Sequence, residues 1–360
     1  MRTNMEKVKS NLDKNKVLLG LSGGVDSTTA AFLLKEKGFD VTGYYFDITG
    51  KNEAGAAEAK DVANQVGIPL IIEDVSDLFR EIVVQNFCSE YSAGRTPNPC
   101  VVCNPGVKFR RLVQQADKIG AYSIATGHYA RIHFDEIQEK YYVKQGANLQ
   151  KDQSYMLYRL EQEVLSRLMF PLGEYENKER VRSLARSQCL TNADKKDSQE
   201  ICFIPDNDYG SFLEVRGCKA APGDFVDSDG HVLGRHKGII HYTIGQRKGL
   251  GIALGKPAFV TRIDAEKNQI VLGENEDLFS DTVYSSQNMF AAGSDFARDY
   301  NGARVLAKVR YSARPASAIL RILDDGRCET VFEEPQRAAT PGQSVVWYKD
   351  DYVIGGGFIL

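Results

Sequence analysis

The stretch GLSGGVDSTT at residues 20–29 follows an apolar run and opens an amphipathic one, so the fold must place a glycine-rich turn between a strand and a helix. Gly23 and Gly24 let the backbone approach a ligand closely, and Ser22, Ser27 and the amides of a helix start are donors suited to a polyphosphate. The turn lacks the Gly-Lys-Ser/Thr of a P-loop, and Ser27 stands where a dinucleotide fingerprint needs its third glycine. Around it, short apolar runs at 16–21, 41–48, 69–75 and 122–126 alternate with helical periodicity at 27–37, 54–66, 77–91 and 109–119. That alternation predicts an α/β fold whose N-terminal part is a doubly wound parallel sheet. In such sheets ligands collect at the carboxyl ends of strands, where Phe46 and Gly127 are also expected.

The texture changes twice further along. YMLYRLEQEVLSRL and ENKERVRSLARSQ keep helical spacing on either side of a Pro171 and Gly173 turn, which predicts a small helical central domain at 166–220 after a catalytic domain at 1–165. From 221 to 360 short alternating strands separated by Gly, Asn and Asp turns predict a C-terminal all-β barrel, with a hairpin turn at 266–268. With no stretch of about 18 apolar residues and no apolar core behind the basic N-terminal residues, the chain is expected to be cytoplasmic and to have no membrane partner. A net charge of −3 excludes a globally basic nucleic-acid binder and leaves local clusters as candidates: Lys108, Arg110 and Arg111; Lys178, Arg180, Arg182 and Arg186; Arg235, Lys237, Arg247 and Lys248.

Seven cysteines, an odd number in a long chain, argue against a secreted disulfide scaffold. Cys100 and Cys103 lie in GRTPNPCVVCN, where two prolines with flanking Gly and Asn predict a stiff loop rather than a helix. Cys202 lies in KKDSQEICFIP, after two lysines that favour a thiolate. Taken alone, Cys100 and Cys103 also fit a zinc or redox pair, and Cys202 a buried apolar thiol. Cys88, Cys189, Cys218 and Cys328 receive no role, and Cys88 is expected to pack inside a helix.

SGGVDS resembles the PP-loop of the ATP-pyrophosphatase superfamily, whose fold is that of the adenine nucleotide α-hydrolases. The resemblance assigns ATP binding to Gly20, Leu21, Ser22, Gly23, Gly24, Val25, Asp26, Ser27, Phe46 and Gly127, with Asp26 assisting Mg²⁺. The ordered set SGGVDS, GRTPNPCVVCN, TGHYAR, KDQSYML, KKDSQEICFI, HYTIGQRKGLGI and PGQSVVWY with GGGFI is similar to the bacterial tRNA-specific 2-thiouridylases, from about residue 16 to the last residue. That similarity implies adenylation of the C2 oxygen of the wobble uridine by ATP and its replacement by sulfur from a persulfide on Cys202. Cys103 is implied as the partner nucleophile, with a transient Cys103–Cys202 disulfide, and a sulfur-relay protein or cysteine desulfurase as the source of sulfur.

Many members of that family carry an aspartate where this chain has Cys100, so acid/base duty at this position does not transfer. The substitution opens an alternative, an iron–sulfur cluster held by Cys100, Cys103 and Cys202. Another alternative is a different PP-loop synthetase, which accounts for SGGVDS but for neither the thiols nor the barrel. The resemblance also implies tRNA or base contacts at Asn98, Pro99, Cys100, His128, Lys151, Asp152, Gln153, Arg310, Tyr311 and Gln343. Read without it, His128 is an ordinary strand-end residue, Arg310 and Tyr311 a barrel edge, and Gln343 a turn residue.

Overall fold

The computed structural model describes residues 12–188, 190, 192–193, 201–204, 206, 208–252 and 255–360. Cys189 and the KKDSQE stretch at 195–200 lie outside the described residues. The chain divides into two units: Met1–Ile82 with Cys100–Gln199 and Asp351–Val353, and Val83–Pro99 with Glu200–Asp350 and Ile354–Leu360. The stretch expected to form a separate central domain at 166–220 is therefore shared between the two.

The first unit is built on a parallel sheet in the order β3-β2-β1-β4-β7, formed by β1 (Asp13–Gly20), β2 (Asp40–Asp47), β3 (Leu70–Asp74), β4 (Ala121–Thr126) and β7 (Leu168–Met169). Chain order reverses beside β1, whose last residue pairs with Tyr44 of β2 on one side and Thr126 of β4 on the other. The expected doubly wound topology is thus present, with its switch point between β1 and β4. Helices α1 (Val25–Glu36) and α2 (Glu53–Val66) pack their buried Val25, Ala30, Ala31, Leu34, Val62, Ala63 and Val66 with Val17, Leu19 and Val41 of the strands. A hairpin of β5 (Ala130–Asp135) and β6 (Lys140–Gln145) follows β4.

The helical run expected at 77–91 is present but irregular: a turn at Ser76–Phe79, a wide turn at Arg80–Val84, then α3 (Gln85–Ser92). The GRTPNPCVVCN segment departs further from expectation, because Pro99–Cys103 is a helix, α4, and not a loop. Pro99 occupies its first position, where a missing N–H costs nothing. Pro105, one turn later, removes a helical hydrogen bond and crowds the carbonyl behind it. The chain answers with a wide π turn at Asn104–Lys108 before resuming as α5 (Phe109–Lys118). Phe109, Leu112 and Ala116 bury one face of α5, and Arg111 and Gln115 on the other side reach Glu73 of β3.

Two sheets make up most of the second unit. β8 (Gly223–Val226), β9 (Val232–His236), β10 (Phe259–Asp264) and β11 (Gln269–Gly273) form one, in the order β10-β11-β8-β9, and the expected 266–268 turn joins β10 to β11 with Asn268 at a φ of 51°. Phe87 and Tyr91 of α3 join Leu213 of a helix at Tyr209–Val215 and Phe225, Ile240 and Val260 in its core. The other sheet contains β12 (Phe279–Phe290), β13 (Ala303–Lys308), β14 (Ala316–Ile322), β15 (Cys328–Arg337), β16 (Ser344–Lys349) and β17 (Tyr352–Ile359), running β12-β15-β14-β13-β16-β17. Ser285 and Ser286 of β12 pair back with Ile359 and Phe358 of β17, which closes the antiparallel barrel.

Trp347, the single tryptophan, is fully buried in the barrel, stacks on Phe290 at 5.5 Å and donates its indole N–H to Thr330 Oγ1 at 2.9 Å. A Thr330→Val substitution keeps the shape and strands that donor, so the urea midpoint of the Trp347 fluorescence transition is expected to fall by the equivalent of about 1–3 kcal/mol. An unchanged midpoint would show that the bond contributes nothing.

Candidate nucleotide site and candidate thiols

The turn between β1 and α1 is held by its own serines. Ser22 N–H donates to Ser27 Oγ at 3.2 Å, Ser27 Oγ donates to the Gly24 carbonyl at 3.1 Å, and Thr28 Oγ1 donates to the same carbonyl at 2.8 Å. Gly23 has a φ of 76°, in the left-handed region that glycine enters without strain. Gly24 begins α1 with no side-chain cap, leaving the first amides of a 12-residue helix to meet an anion. Phe46, half-buried at the end of β2, lies across the end of β1, 3.5 Å from where a side chain on Gly20 would begin.

The loop after β4 presses on this turn. A Cβ at Gly127 would stand 2.8 Å from both Asp26 C and Ser27 N, so only a hydrogen fits there. Two residues on, Tyr129 donates its hydroxyl to Asp26 Oδ1 at 2.8 Å. Lys178, the first residue of α6 (Lys178–Ser187), takes the other oxygen, with Nζ 3.0 Å from Asp26 Oδ2. Asn192 donates its amide to the Gly23 carbonyl at 2.8 Å and to Thr28 Oγ1 at 2.6 Å. Motif reading singled out neither Tyr129 nor Asn192, and it counted Lys178 only within a basic cluster.

Several expected RNA contacts have internal partners. Asp152 is buried and accepts from Gly146 N, Ser154 N and Ser154 Oγ at 3.1, 3.1 and 2.8 Å. Gln153 clamps Tyr129 at two points, its side-chain oxygen accepting from Tyr129 N and its own N–H donating to Tyr129 O, both at 2.9 Å. The side chain of the neighbouring Lys151 is partly exposed. In the second unit Gln343 donates its amide to the Thr96 carbonyl at 2.8 Å, tying the turn before β16 to the segment that leads into Asn98 and Pro99. Arg310 and Tyr311 lie in the turn after β13, with Lys308 over the Tyr311 ring at 5.8 Å, and Arg310 Nε is buried without a partner among the described residues.

His128 sits between Phe109 and Phe170, each ring 6.0 Å away, with Nδ1 2.7 Å from Thr126 Oγ1. Burial, helped by the Lys108 charge, holds its pKa well below the histidine range, so the ring is neutral at pH 7.

Cys100 and Cys103 stand three residues apart on α4, one turn along the same face. Cys100 is exposed and Cys103 half-exposed. Surrounding protein nonetheless pushes the Cys100 thiol pKa up, against a smaller pull from Lys108, so it stays protonated near neutrality. Cys202 is exposed in the second unit, in a short turn anchored by Phe203 against Phe87 and by buried Ile204. Cys88 packs beside Cys218, and burial with that neighbour pushes its pKa up to about 11; burial alone pushes Cys328 up to about 12. Neither supplies a thiolate at neutral pH.

An open α/β sheet with a serine- and glycine-lined anion turn at its switch point, followed by a closed barrel, defines an ATP-using PP-loop protein with an appended β module. Residues 15–206 match a family described as tRNA methyl transferase HUP domain, residues 210–274 its PRC-barrel domain, and residues 289–359 an aminomethyltransferase beta-barrel domain. The chain is 47% identical over 359 residues to tRNA-specific 2-thiouridylase MnmA 1 of Thermoanaerobacter pseudethanolicus, covering 96% of this chain and 98% of the relative. It is 46% identical to the MnmA of Acetivibrio thermocellus, covering 97% and 100%, and 49% identical to that of Syntrophomonas wolfei, covering 96% and 99%. The chain belongs to the tRNA-specific 2-thiouridylase family.

Two outcomes follow from this geometry. Gly127→Ala forces the two loops apart, which is expected to lower the unfolding midpoint by the equivalent of about 1–3 kcal/mol and to weaken ATP binding in calorimetric titration; unaltered affinity would show that the loop contact does not shape the site. For His128, a depressed folded pKa means its contribution to stability is complete above the unfolded value near about 6.5 and lost as pH falls below it, by up to about 1.4 kcal/mol per pH unit. His236 and His241, also lowered by burial, add to the same slope. Unfolding midpoints of His128→Gln between pH 7.5 and 5.5 are expected to fall less steeply than those of the parent, and equal slopes would contradict a buried neutral imidazole.

Proposed function

We propose that this chain is a tRNA-uridine 2-sulfurtransferase that thiolates C2 of the wobble uridine at the expense of ATP. The observation that carries the reading is the joint presence of an anion turn at the β1/β4 switch point and a two-cysteine helical turn, α4, on one family framework. ATP lies along the Gly20–Ser27 turn with its phosphates at the start of α1, Phe46 and Gly127 line its path, and Asp26, whose oxygens meet Tyr129 and Lys178 in this structure, would hold a Mg²⁺ that neutralises phosphate charge. In this assignment His128, Lys151, Arg310 and Tyr311 touch the RNA, while Asp152, Gln153 and Gln343 position the loops that do. A base held for chemistry has to leave the anticodon stack, and Asn98, Pro99 and Cys100 are the segment assigned to its edge.

The C2 oxygen attacks the α-phosphate, pyrophosphate leaves, and the uridine carries its oxygen as an adenylate. The terminal sulfur of a Cys202 persulfide then attacks C2 and AMP departs with that oxygen. Cys103 attacks Cys202 Sγ, breaking the S–S bond, forming the Cys103–Cys202 disulfide and leaving sulfur on C2. In a second order Cys103 first frees hydrosulfide, which attacks C2. Both orders need a reductant for the disulfide and a sulfur-relay protein or cysteine desulfurase to recharge Cys202. The work is assigned to the cytoplasm, where tRNA and such donors meet.

A cluster held by Cys100, Cys103 and Cys202 is not needed in either order, because the persulfide on Cys202 already supplies the sulfur. No step is routed through one. A protonated Cys100 is a weak donor beside the base and not a replacement carboxylate. The relatives give no support to a different PP-loop synthetase. Cys103→Ser and Cys202→Ser are each expected to abolish 2-thiouridine, measured by mass spectrometry of digested tRNA, while leaving ATP affinity within about twofold, the range of a surface change. Retained thiolation in either variant removes that cysteine from the mechanism. Cys100→Asp is expected to keep activity in protein prepared in air.

A further inference from the structure

Lys178 pairs with the nucleotide turn in a way the family assignment of ATP-binding residues leaves unexplained. Its side chain is 12% exposed, its Nζ is 3.0 Å from Asp26 Oδ2, and it lies over the Tyr129 ring at 5.9 Å. A carboxylate in the first turn of a helix is already favoured by the unpaired amides there and needs no lysine to hold it. The arrival of a polyphosphate changes this balance, because Asp26 then faces further negative charge across a few ångströms and a shared cation relieves the repulsion.

The ammonium is also preorganised for that task. Asn177 caps α6 by accepting from Arg180 N at 2.9 Å, and Val181 and Ala185 bury the helix in the first core. Arg182 holds the Ala193 carbonyl at 3.1 Å, and Asn192 beside it holds the Gly23 carbonyl. Lys178 at the start of α6 and Asn192 beyond its end thereby each reach the turn. Of the basic cluster on α6, Arg186 pairs with Glu179 and Arg182 with its own segment, whereas Lys178 reaches the turn.

We infer that Lys178 is a substrate-contacting residue that binds the β- and γ-phosphates of ATP and the departing pyrophosphate, with Asp26 as its resting partner when the nucleotide is absent. The inference rests on the ATP-pyrophosphatase reading above. It predicts discrimination by phosphate number, which a purely structural lysine does not produce.

The test is calorimetric titration of the full-length protein with magnesium α,β-methylene ATP, magnesium pyrophosphate and AMP, comparing the parent with Lys178→Met and Lys178→Arg. Methionine keeps the stem over Tyr129 and removes the charge. The Met variant is expected to bind the triphosphate and pyrophosphate about ten- to a hundredfold more weakly, as for loss of a charge-assisted bond, with AMP unchanged. The Arg variant is expected to retain most of the triphosphate affinity. Equal losses for AMP and triphosphate in both variants would reduce Lys178 to a structural support, and full triphosphate affinity in the Met variant would remove it from the site. A parent protein that binds neither triphosphate nor pyrophosphate would bring down the ATP reading itself.

Discussion

The site depends on one steric constraint, the closeness of the two loops that leave β1 and β4. Their strands are in register at Gly20 and Thr126, so the loops emerge side by side at the switch point. Gly127 then touches the backbone of Asp26 and Ser27 with no room for a side chain. This contact aims Tyr129 at Asp26, and Gln153 clamps Tyr129 from a loop further along the chain. The serines that close the turn on itself complete a cradle whose shape comes from tertiary contacts as much as from its own sequence. An anion site built this way pays its ordering cost on folding and not on binding.

The thiols divide along similar physical lines. Burial, joined at Cys88 by its neighbour Cys218, pushes the Cys88 thiol up to about 11 and the Cys328 thiol up to about 12, and Cys328 serves as a small core residue. Cys103 lies on α4, which would be a regular helix but for Pro105. The wide turn at Asn104–Lys108 resolves the clash and sets where α4 points relative to α5. A proline-driven irregularity thus orients the two-cysteine face, while Phe109 and Leu112 anchor the helix that follows it. Sulfur transfer in the proposed scheme uses an activated oxygen as leaving group, which is why an adenylating turn and a nucleophilic thiol belong on the same chain.

The parallel sheet was legible in the sequence because buried strands and amphipathic helices impose their periods directly: strands expected at 16–21, 41–48, 69–75 and 122–126 form at 13–20, 40–47, 70–74 and 121–126. The barrel was legible for the same reason in outline, though its division from the β8–β11 sheet was not. GRTPNPCVVCN was misread as a loop because proline usually ends helices, whereas Pro99 starts one and Pro105 is absorbed by a π turn. The pairing of Tyr129 and Lys178 with Asp26 was not legible because it spans 103 and 152 residues, a proximity that no local pattern encodes. Asp152, Gln153 and Gln343, expected by resemblance as ligand contacts, each also hold a neighbouring loop: Asp152 accepts from Ser154 Oγ, Gln153 Oε1 from Tyr129 N, and Gln343 donates to Thr96 O.

Activation of the uridine C2 oxygen by ATP leaves an isotopic trace, read by supplying tRNA whose wobble uridine carries ¹⁸O at C2, together with ATP, Mg²⁺ and a sulfide source, and analysing both AMP and nucleosides by mass spectrometry. One ¹⁸O is expected in the AMP phosphate for each 2-thiouridine formed. Unlabelled AMP accompanying 2-thiouridine, or release of ADP in place of AMP, would contradict it.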